Sequence, residues 1–191
     1  MKFRYINQIY FLLVVMIITF PTSCTEDLGL NSSKSVISFV FSTGPYEGQN
    51  LEFSSSNTSD LLNYYELNNR TRVFCNQLSS VDNKVLKSNS SINFAWTGNP
   101  IAGKFTTLNF ANPGAPNSGD IEIDYQDGEY LSANIPSNVN IQVNEYNEVG
   151  NLVRGSFSFS TTLTYEKGSQ MGTLATICTV TFSLVRGENR Q

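Results

Sequence analysis

Five carboxylates lie close together in the sequence, at Asp120, Glu122, Asp124, Asp127 and Glu129. Carboxylate oxygens are ligands that Ca²⁺ prefers, and two carboxylates at a suitable separation can also hydrolyse a glycosidic bond. The spacing does not match a calcium-loop motif, and alternate residues of any strand lie about 6.5–7 Å apart. We therefore interpret the cluster as the solvent face of a strand that leads into a turn, and assign no metal ligand and no catalytic residue.

Histidine is absent from all 191 residues. Its absence excludes Ser-His-Asp and Cys-His nucleophile systems, imidazole general bases and histidine metal ligands. The formal net charge of −4 argues against nucleic acid as a partner, because phosphate contacts require clustered Lys and Arg. With no strong catalytic group to replace histidine, we expect a protein that is not an enzyme and that uses no cofactor.

Two cysteines fall within segments that read as strands. Cys75 is in phase with Val73, and Cys178 is in phase with Val180, so both side chains are predicted to point to an interior face. A bridge between them would close a loop of about a hundred residues, worth nominally about 4–5 kcal/mol. The alternative is a pair of buried free thiols, which pack as small hydrophobic groups. The sequence leaves both open.

Two aromatic residues are candidates for ligand binding. Trp96 lies at the end of an alternating segment and could stack on a sugar or another ring, although it is also in phase with Ile92 and Phe94, as a core residue would be. Tyr125 and Tyr46, together with the Tyr64-Tyr65 pair, could line a concave face. We retain Trp96 and Tyr125 as possible ligand-binding residues.

Short alternating segments separated by turn signals must position these side chains. They predict about nine or ten strands in one all-β domain over residues 35–187, arranged as an antiparallel β-sandwich or a calycin-like barrel, with a polar tail at 188–191. Asp127-Gly128 predicts a hairpin turn. Arg70 to Leu78 reads as one strand, and residues 60–67 contain the only plausible helical turn, with Asp60 as its cap.

The first 23 residues have the pattern of a signal peptide. Lys2 and Arg4 precede an apolar run from Ile9 to Phe20 of about 18 Å, too short for a membrane span of about 30 Å. The sequence Pro-Thr-Ser-Cys that ends at Cys24 resembles the lipobox of bacterial lipoproteins, in which the signal is cleaved before the cysteine and the cysteine carries the lipid. The alternative is an ordinary signal peptide, with Cys24 a plain thiol.

The lipobox resemblance implies that Cys24 is lipidated, that residues 24–34 form a flexible tether and that the membrane is a partner. Cleavage would remove two basic residues and no acid, so the mature chain would change from net −4 to −6. An acidic domain of this kind is expected to stand off the membrane surface. The acidic pair that follows Cys24, Glu26-Asp27, looks like the surface-export signal of Bacteroidetes-type lipoproteins.

A second resemblance covers roughly residues 90–185. The segments Asn140–Asn147 and Gly150–Ser160 resemble the I-x-x-Y-(D/N)…G-x-F-S-F hairpin of an uncharacterised family of small Bacteroidetes lipoproteins, and Gly98–Thr106 resembles the Gly-x-Tyr-Thr element of that family, with Phe105 in place of Tyr. The hairpin alternates aromatic core residues with polar outward ones, and Gly155 is expected to relieve a strand bend or bulge. The family supplies no catalytic residues.

Together these features predict an envelope lipoprotein, anchored by lipid at the outer membrane or cell surface, with a non-catalytic binding or structural all-β domain whose protein or glycan partner is unknown. Two other functions stay open at this stage. A calycin-like carrier of a small apolar ligand would need an interior cavity lined by Phe and Tyr. A carboxylate-based glycan hydrolase would need Glu122 or Asp124 in a cleft.

Overall fold

A computed structural model describes residues 34–55, 61–80, 82, 84–107 and 117–191. The described residues form one compact unit and are almost entirely antiparallel β-sheet, as the sequence predicts. None of them forms a helix that is long and apolar enough to cross a membrane. The predicted signal peptide, the lipidation site Cys24 and nearly all of the predicted tether lie outside the described residues.

The described residues contain twelve strands and one short 3-10 helix, Glu66–Asn68. The strands are β1 (Ser35–Phe41), β2 (Leu51–Ser55), β3 (Leu62–Tyr65), β4 (Arg70–Cys75), β5 (Leu78–Ser80), β6 (Ser91–Thr97), β7 (Gly103–Thr106), β8 (Asn117–Asp124), β9 (Tyr130–Pro136), β10 (Asn140–Tyr146), β11 (Leu152–Lys167) and β12 (Gln170–Val185).

The strands follow the order β3-β4-β6-β8-β9-β11-β12-β1-β2-β5, and β10 joins β11 to β7 beside this path. The sheet is not closed into a barrel and is consistent with a sandwich, so of the two predicted architectures the sandwich is the one found. The hairpin of β11 and β12 is its longest pairing, continuous from Leu152 opposite Val185 to Lys167 opposite Gln170. The strict period-two pattern of these strands favours such a pairing, because one face can be fully apolar.

Two local predictions about residues 60–80 are wrong. Leu62–Tyr65 is a strand that pairs with β4, and the 3-10 helix begins only at Glu66. A single helical turn is costly to nucleate, whereas pairing with β4 supplies backbone hydrogen bonds at once. The segment predicted as one strand divides into β4 and β5 at Gln77, whose φ of 51° is left-handed and therefore interrupts extended backbone.

The residues after β12 lie along the outer edge of β3. Gly187 N donates to Leu62 O at 2.7 Å, Arg190 N donates to Tyr64 O at 2.8 Å, and Glu66 N donates to Arg190 O at 2.9 Å. We call residues 186–190 the strap. It covers an edge whose backbone groups would otherwise be exposed, and it includes part of the segment that the sequence describes as a polar tail.

The core is a continuous aromatic and aliphatic cluster. Phe94 is its centre, with ring centroids 5.0 Å from Phe157 and 5.5 Å from Phe182. Gly155 is required here, because a Cβ at this position would lie 2.5 Å from the Phe182 ring and 2.6 Å from the Gln142 carbonyl oxygen. The expected irregularity at Gly155 is present on the neighbouring strand, as a register shift in β10 between Val143 and Glu145.

Candidate functional site

Trp96 lies in the core. Its side chain is fully buried in β6, with ring centroids 6.0 Å from Phe182, 6.1 Å from Phe94 and 6.4 Å from Phe105. The indole N–H has no hydrogen-bond partner among the described residues. Because the ring is enclosed by other aromatic rings, it is not available to stack on a ligand in this state. Of the two interpretations of Trp96, the structure shows the core residue.

Tyr125 lies where β8 enters the turn to β9. Its N–H donates to Glu129 O at 2.8 Å across the predicted Asp127-Gly128 hairpin, and Gly128 has the positive φ, 94°, that such a turn requires. Lys84 Nζ lies 5.0 Å from the centroid of the Tyr125 ring and 2.7 Å from Glu129 Oε2. Burial, assisted by nearby carboxylates, raises the pKa of the Tyr125 hydroxyl.

Tyr46 has the same arrangement with a different lysine. Lys167 Nζ lies 4.4 Å from the centroid of the Tyr46 ring and donates to Pro45 O at 2.8 Å. The Tyr46 hydroxyl donates to Glu166 O at 3.5 Å, and burial raises its pKa. Each ring therefore has a cation over it, an interaction worth about 0.5–2 kcal/mol.

We call Tyr46, Lys84, Tyr125 and Lys167 the tyrosine–lysine cluster. Sequence reasoning proposed both tyrosines but missed both lysines, because Lys84 and Lys167 are distant in sequence from the rings that they cover. The cluster ties together four chain segments at one end of the sheet, which we call the distal end. It positions the loops of that end, and its tyrosine rings are not open to a stacking ligand.

The five carboxylates lie on the outward side of β8 and in the turn that follows. Asp124 Oδ1 lies 2.8 Å from Lys87 Nζ, Glu129 is paired with Lys84, and Asp120 Oδ1 accepts a hydrogen bond from Asn93 Nδ2 at 2.9 Å. Among the described residues, no group of three or more acids or cysteines is placed to hold a metal ion. This placement agrees with a solvent-facing strand and turn.

The described residues line open clefts on the surface, and two of these have defined linings. One of about 250 Å³ lies at the distal end and is lined by Asn50, Leu51, Glu52, Ser80 and Asp82. The cleft borders the tyrosine–lysine cluster, since Lys84 N donates to Asp82 Oδ1 at 3.3 Å. The other, of about 510 Å³, lies at the opposite end and is lined by Asn147, Glu148, Asn151, Leu152 and Arg154. The cleft at the opposite end is mainly polar, whereas the cleft at the distal end has polar and apolar surface in nearly equal amounts.

Cys75 and Cys178 are both buried, as their strand phase predicts, and both are free thiols. Of the two alternatives that the sequence leaves open, the structure therefore has the pair of buried free thiols, and no disulfide joins Cys75 to Cys178. Burial raises the pKa of each thiol to about 12. Thiols of this kind are protonated at neutral pH and are poor nucleophiles.

Comparison with known proteins supplies no relative for this chain: no family model, no curated protein and no solved structure matches it.

Proposed function

We propose that the protein is a non-catalytic envelope lipoprotein: an all-β module, held at the outer membrane or cell surface by lipid on Cys24, that presents its loops to a partner. The observation that carries this proposal is the lipobox-like sequence that ends at Cys24, followed within a few residues by a compact β unit that begins at Ser35. A short polar linker between a lipid site and a domain is what a membrane tether requires.

The contacts of the polar groups support a scaffold function over a catalytic one. Asp124 is paired with Lys87, and Glu129 with Lys84, so two of the five clustered carboxylates are held by neighbouring cations. The buried thiols are protonated at neutral pH, because burial raises their pKa to about 12. The distal loops are held in place by the tyrosine–lysine cluster and border an open cleft. Pre-organised loops of this kind suit binding, because little order is lost when a partner binds.

The arrangement gives less support to the two other functions. A carrier of an apolar ligand needs an enclosed cavity, whereas here the sheet is open and the large aromatic side chains pack on one another. A carboxylate hydrolase needs a carboxyl group in a cleft, whereas Asp124 is held by an ion pair to Lys87 on the outward side of β8.

The anchor is tested by labelling cells that express the full chain with radioactive palmitate. We expect the wild-type chain and a Ser32→Ala control to incorporate label and to fractionate with membranes, and Cys24→Ser to do neither. Equal labelling of Cys24→Ser would refute the lipoprotein proposal. Protease treatment of intact cells then separates a surface-exposed domain from one that faces the periplasm.

A further inference from the structure

The chain enters the β unit beside the end of β12. Ser35 is buried, and its Oγ accepts a hydrogen bond from Val185 N at 3.0 Å, while Val36 lies opposite Ser183. Ser35 also lies opposite Ser55 at the end of β2. We call this the entry end. The described chain therefore begins next to the strap, at the end opposite the tyrosine–lysine cluster.

The arginines lie at one end of the molecule, together with Lys34, which directly precedes Ser35. All five arginines in the described part of the chain lie at or near the entry end, namely Arg70, Arg72, Arg154, Arg186 and Arg190. The carboxylates of that end are Glu66, Glu145, Glu148 and Glu188, and Glu145 is paired with Arg154, whose Nη1 lies 2.6 Å from its Oε2. At the distal end Lys84, Lys87 and Lys167 face a larger set of acids, Glu47, Asp82, Asp124, Asp127, Glu129 and Glu166. Cations exceed carboxylates at the entry end, and the reverse holds at the distal end.

Contacts with tyrosine rings orient two of these arginines. The Arg72 guanidinium carbon lies 5.1 Å from the centroid of the Tyr65 ring, and that of Arg186 lies 5.0 Å from the Tyr146 ring. The Tyr146 hydroxyl is in turn within 3.0 Å of Thr71 Oγ1. Ring contacts of this kind hold the planar guanidinium in place, so less freedom is lost when it binds an anion.

Arginine suits phosphate better than lysine does, because its fork of N–H groups binds two phosphate oxygens at once. A guanidinium has five N–H donors. An arginine that already contacts a protein group therefore keeps donors for a second acceptor. Arg190 is exposed, and Arg70 and Arg72 are half-buried on β4, the strand next to the edge strand that the strap covers.

The tether limits how far the entry end can be from the membrane. The ten residues from Thr25 to Lys34 span at most about 35 Å when fully extended. For the flexible tether that the sequence predicts, a chain of that length has a root-mean-square span of only about 18 Å. Since charges interact over a Debye length of about 8 Å at physiological salt, the entry end samples the range in which a charged surface acts on it.

We propose that the entry-end arginines bind the phosphates of anionic phospholipid headgroups, so that the anchored domain rests on the membrane at this end and points its distal end away. The orientation rests on the lipid anchor of the proposed function. Net charge alone predicts that the acidic mature chain stands off the surface. The distribution of charge reverses that expectation for one end, because the acids lie mainly at the other.

The test uses the chain from residue 25 onward, which retains every described element and carries no lipid, mixed with sedimenting vesicles at physiological salt, where screening keeps the charges of the two ends apart. We expect it to bind phosphatidylglycerol vesicles and not phosphatidylcholine vesicles. Arg72→Gln with Arg190→Gln should lower partitioning onto phosphatidylglycerol by about twentyfold, since each cation near an anionic surface contributes about a fivefold factor. The matched control, Lys87→Gln with Lys167→Gln, loses the same charge at the distal end and should change partitioning less than about twofold.

Equal losses in the two double variants would show that net charge, and not the arginine end, drives binding, and would overturn the proposal. So would equal binding to the two kinds of vesicle. Circular dichroism checks that both variants fold; if the arginine pair does not, Arg190→Gln alone removes an exposed side chain and should lower partitioning about fivefold. Because this chain has no lipid, the result is independent of the palmitate experiment, and either proposal can fail without the other.

Discussion

Burial raises the pKa of both cysteine thiols, and this makes the free energy of unfolding depend on pH. The thiol pKa values are raised from 9.0 to about 12, so the folded chain holds these protons more tightly than the unfolded chain. The contribution of the two protonated thiols to the free energy of unfolding is fully present below pH 9 and is lost as the pH rises from 9 toward 12.

We expect the free energy of unfolding to fall by about 2–3 kcal/mol between pH 8 and pH 10 through Cys75 and Cys178, at about 1.4 kcal/mol per thiol and pH unit. Urea unfolding at the two pH values measures the fall, and the Cys75→Ala, Cys178→Ala double variant should lose correspondingly less. Tyr46 and Tyr125 titrate in both chains and cancel in the comparison. An identical fall in both chains would mean that the thiols do not titrate, as in a disulfide.

The candidate residues also show how far sequence reasoning reaches at this scale. Strand phase places Cys75, Cys178 and Trp96 in the interior, because alternation along a strand is a local property. It cannot supply the lysines over Tyr46 and Tyr125, because those contacts depend on how distant loops meet at one end of the sheet.

Among the elements, the long pairing of β11 with β12 can be predicted from the pattern of its residues. The shortest elements cannot be predicted in this way. Sixteen residues of alternating polarity specify a strand and its buried face. Four residues such as Leu62–Tyr65 fit a helical turn as well as a strand, and the choice is made by pairing with β4 on one side and the strap on the other. Pairing between distant segments is the information that a local pattern lacks.

The contact between β11 and β12 at Gly155 yields a prediction about packing. Gly155→Ala places a methyl group against the Phe182 ring and the Gln142 carbonyl oxygen, so we expect it to destabilise the fold by about 1–3 kcal/mol. Gly172→Ala, also in the hairpin, places its methyl group no closer than 3.4 Å to Tyr165 and should have a much smaller effect. Urea midpoints of the two variants test this, and equal midpoints would show that Phe182 moves aside freely.

At the scale of the whole molecule, the described residues form one unit with a single hydrophobic core, but their charged side chains are distributed unequally between its two ends. The core extends continuously through both ends, whereas cations exceed carboxylates at the entry end and acids exceed lysines at the distal end. A continuous core predicts a single cooperative unfolding transition. The asymmetric charge predicts an oriented molecule at a charged surface.

The strap is the part of this unit whose contribution to stability is least evident from the sequence, since its residues are polar. A chain that stops at Val185 loses three backbone hydrogen bonds to residues 62–66 and two between Arg186 and the residues Gly150 and Asn151, and it exposes the edge of β3. We expect it to unfold about 3–7 kcal/mol more easily, at about 0.5–1.5 kcal/mol for each hydrogen bond.

The matched control is a chain that starts at residue 33, which should be as stable as one that starts at residue 25, because the residues removed precede β1. Urea unfolding of the three chains, followed by tryptophan fluorescence of Trp96, measures the difference in a single transition. If loss of the strap leaves the midpoint unchanged, the edge of β3 is stable without it, and the entry-end arrangement of Arg186 and Arg190 would then be a surface feature that the fold does not require.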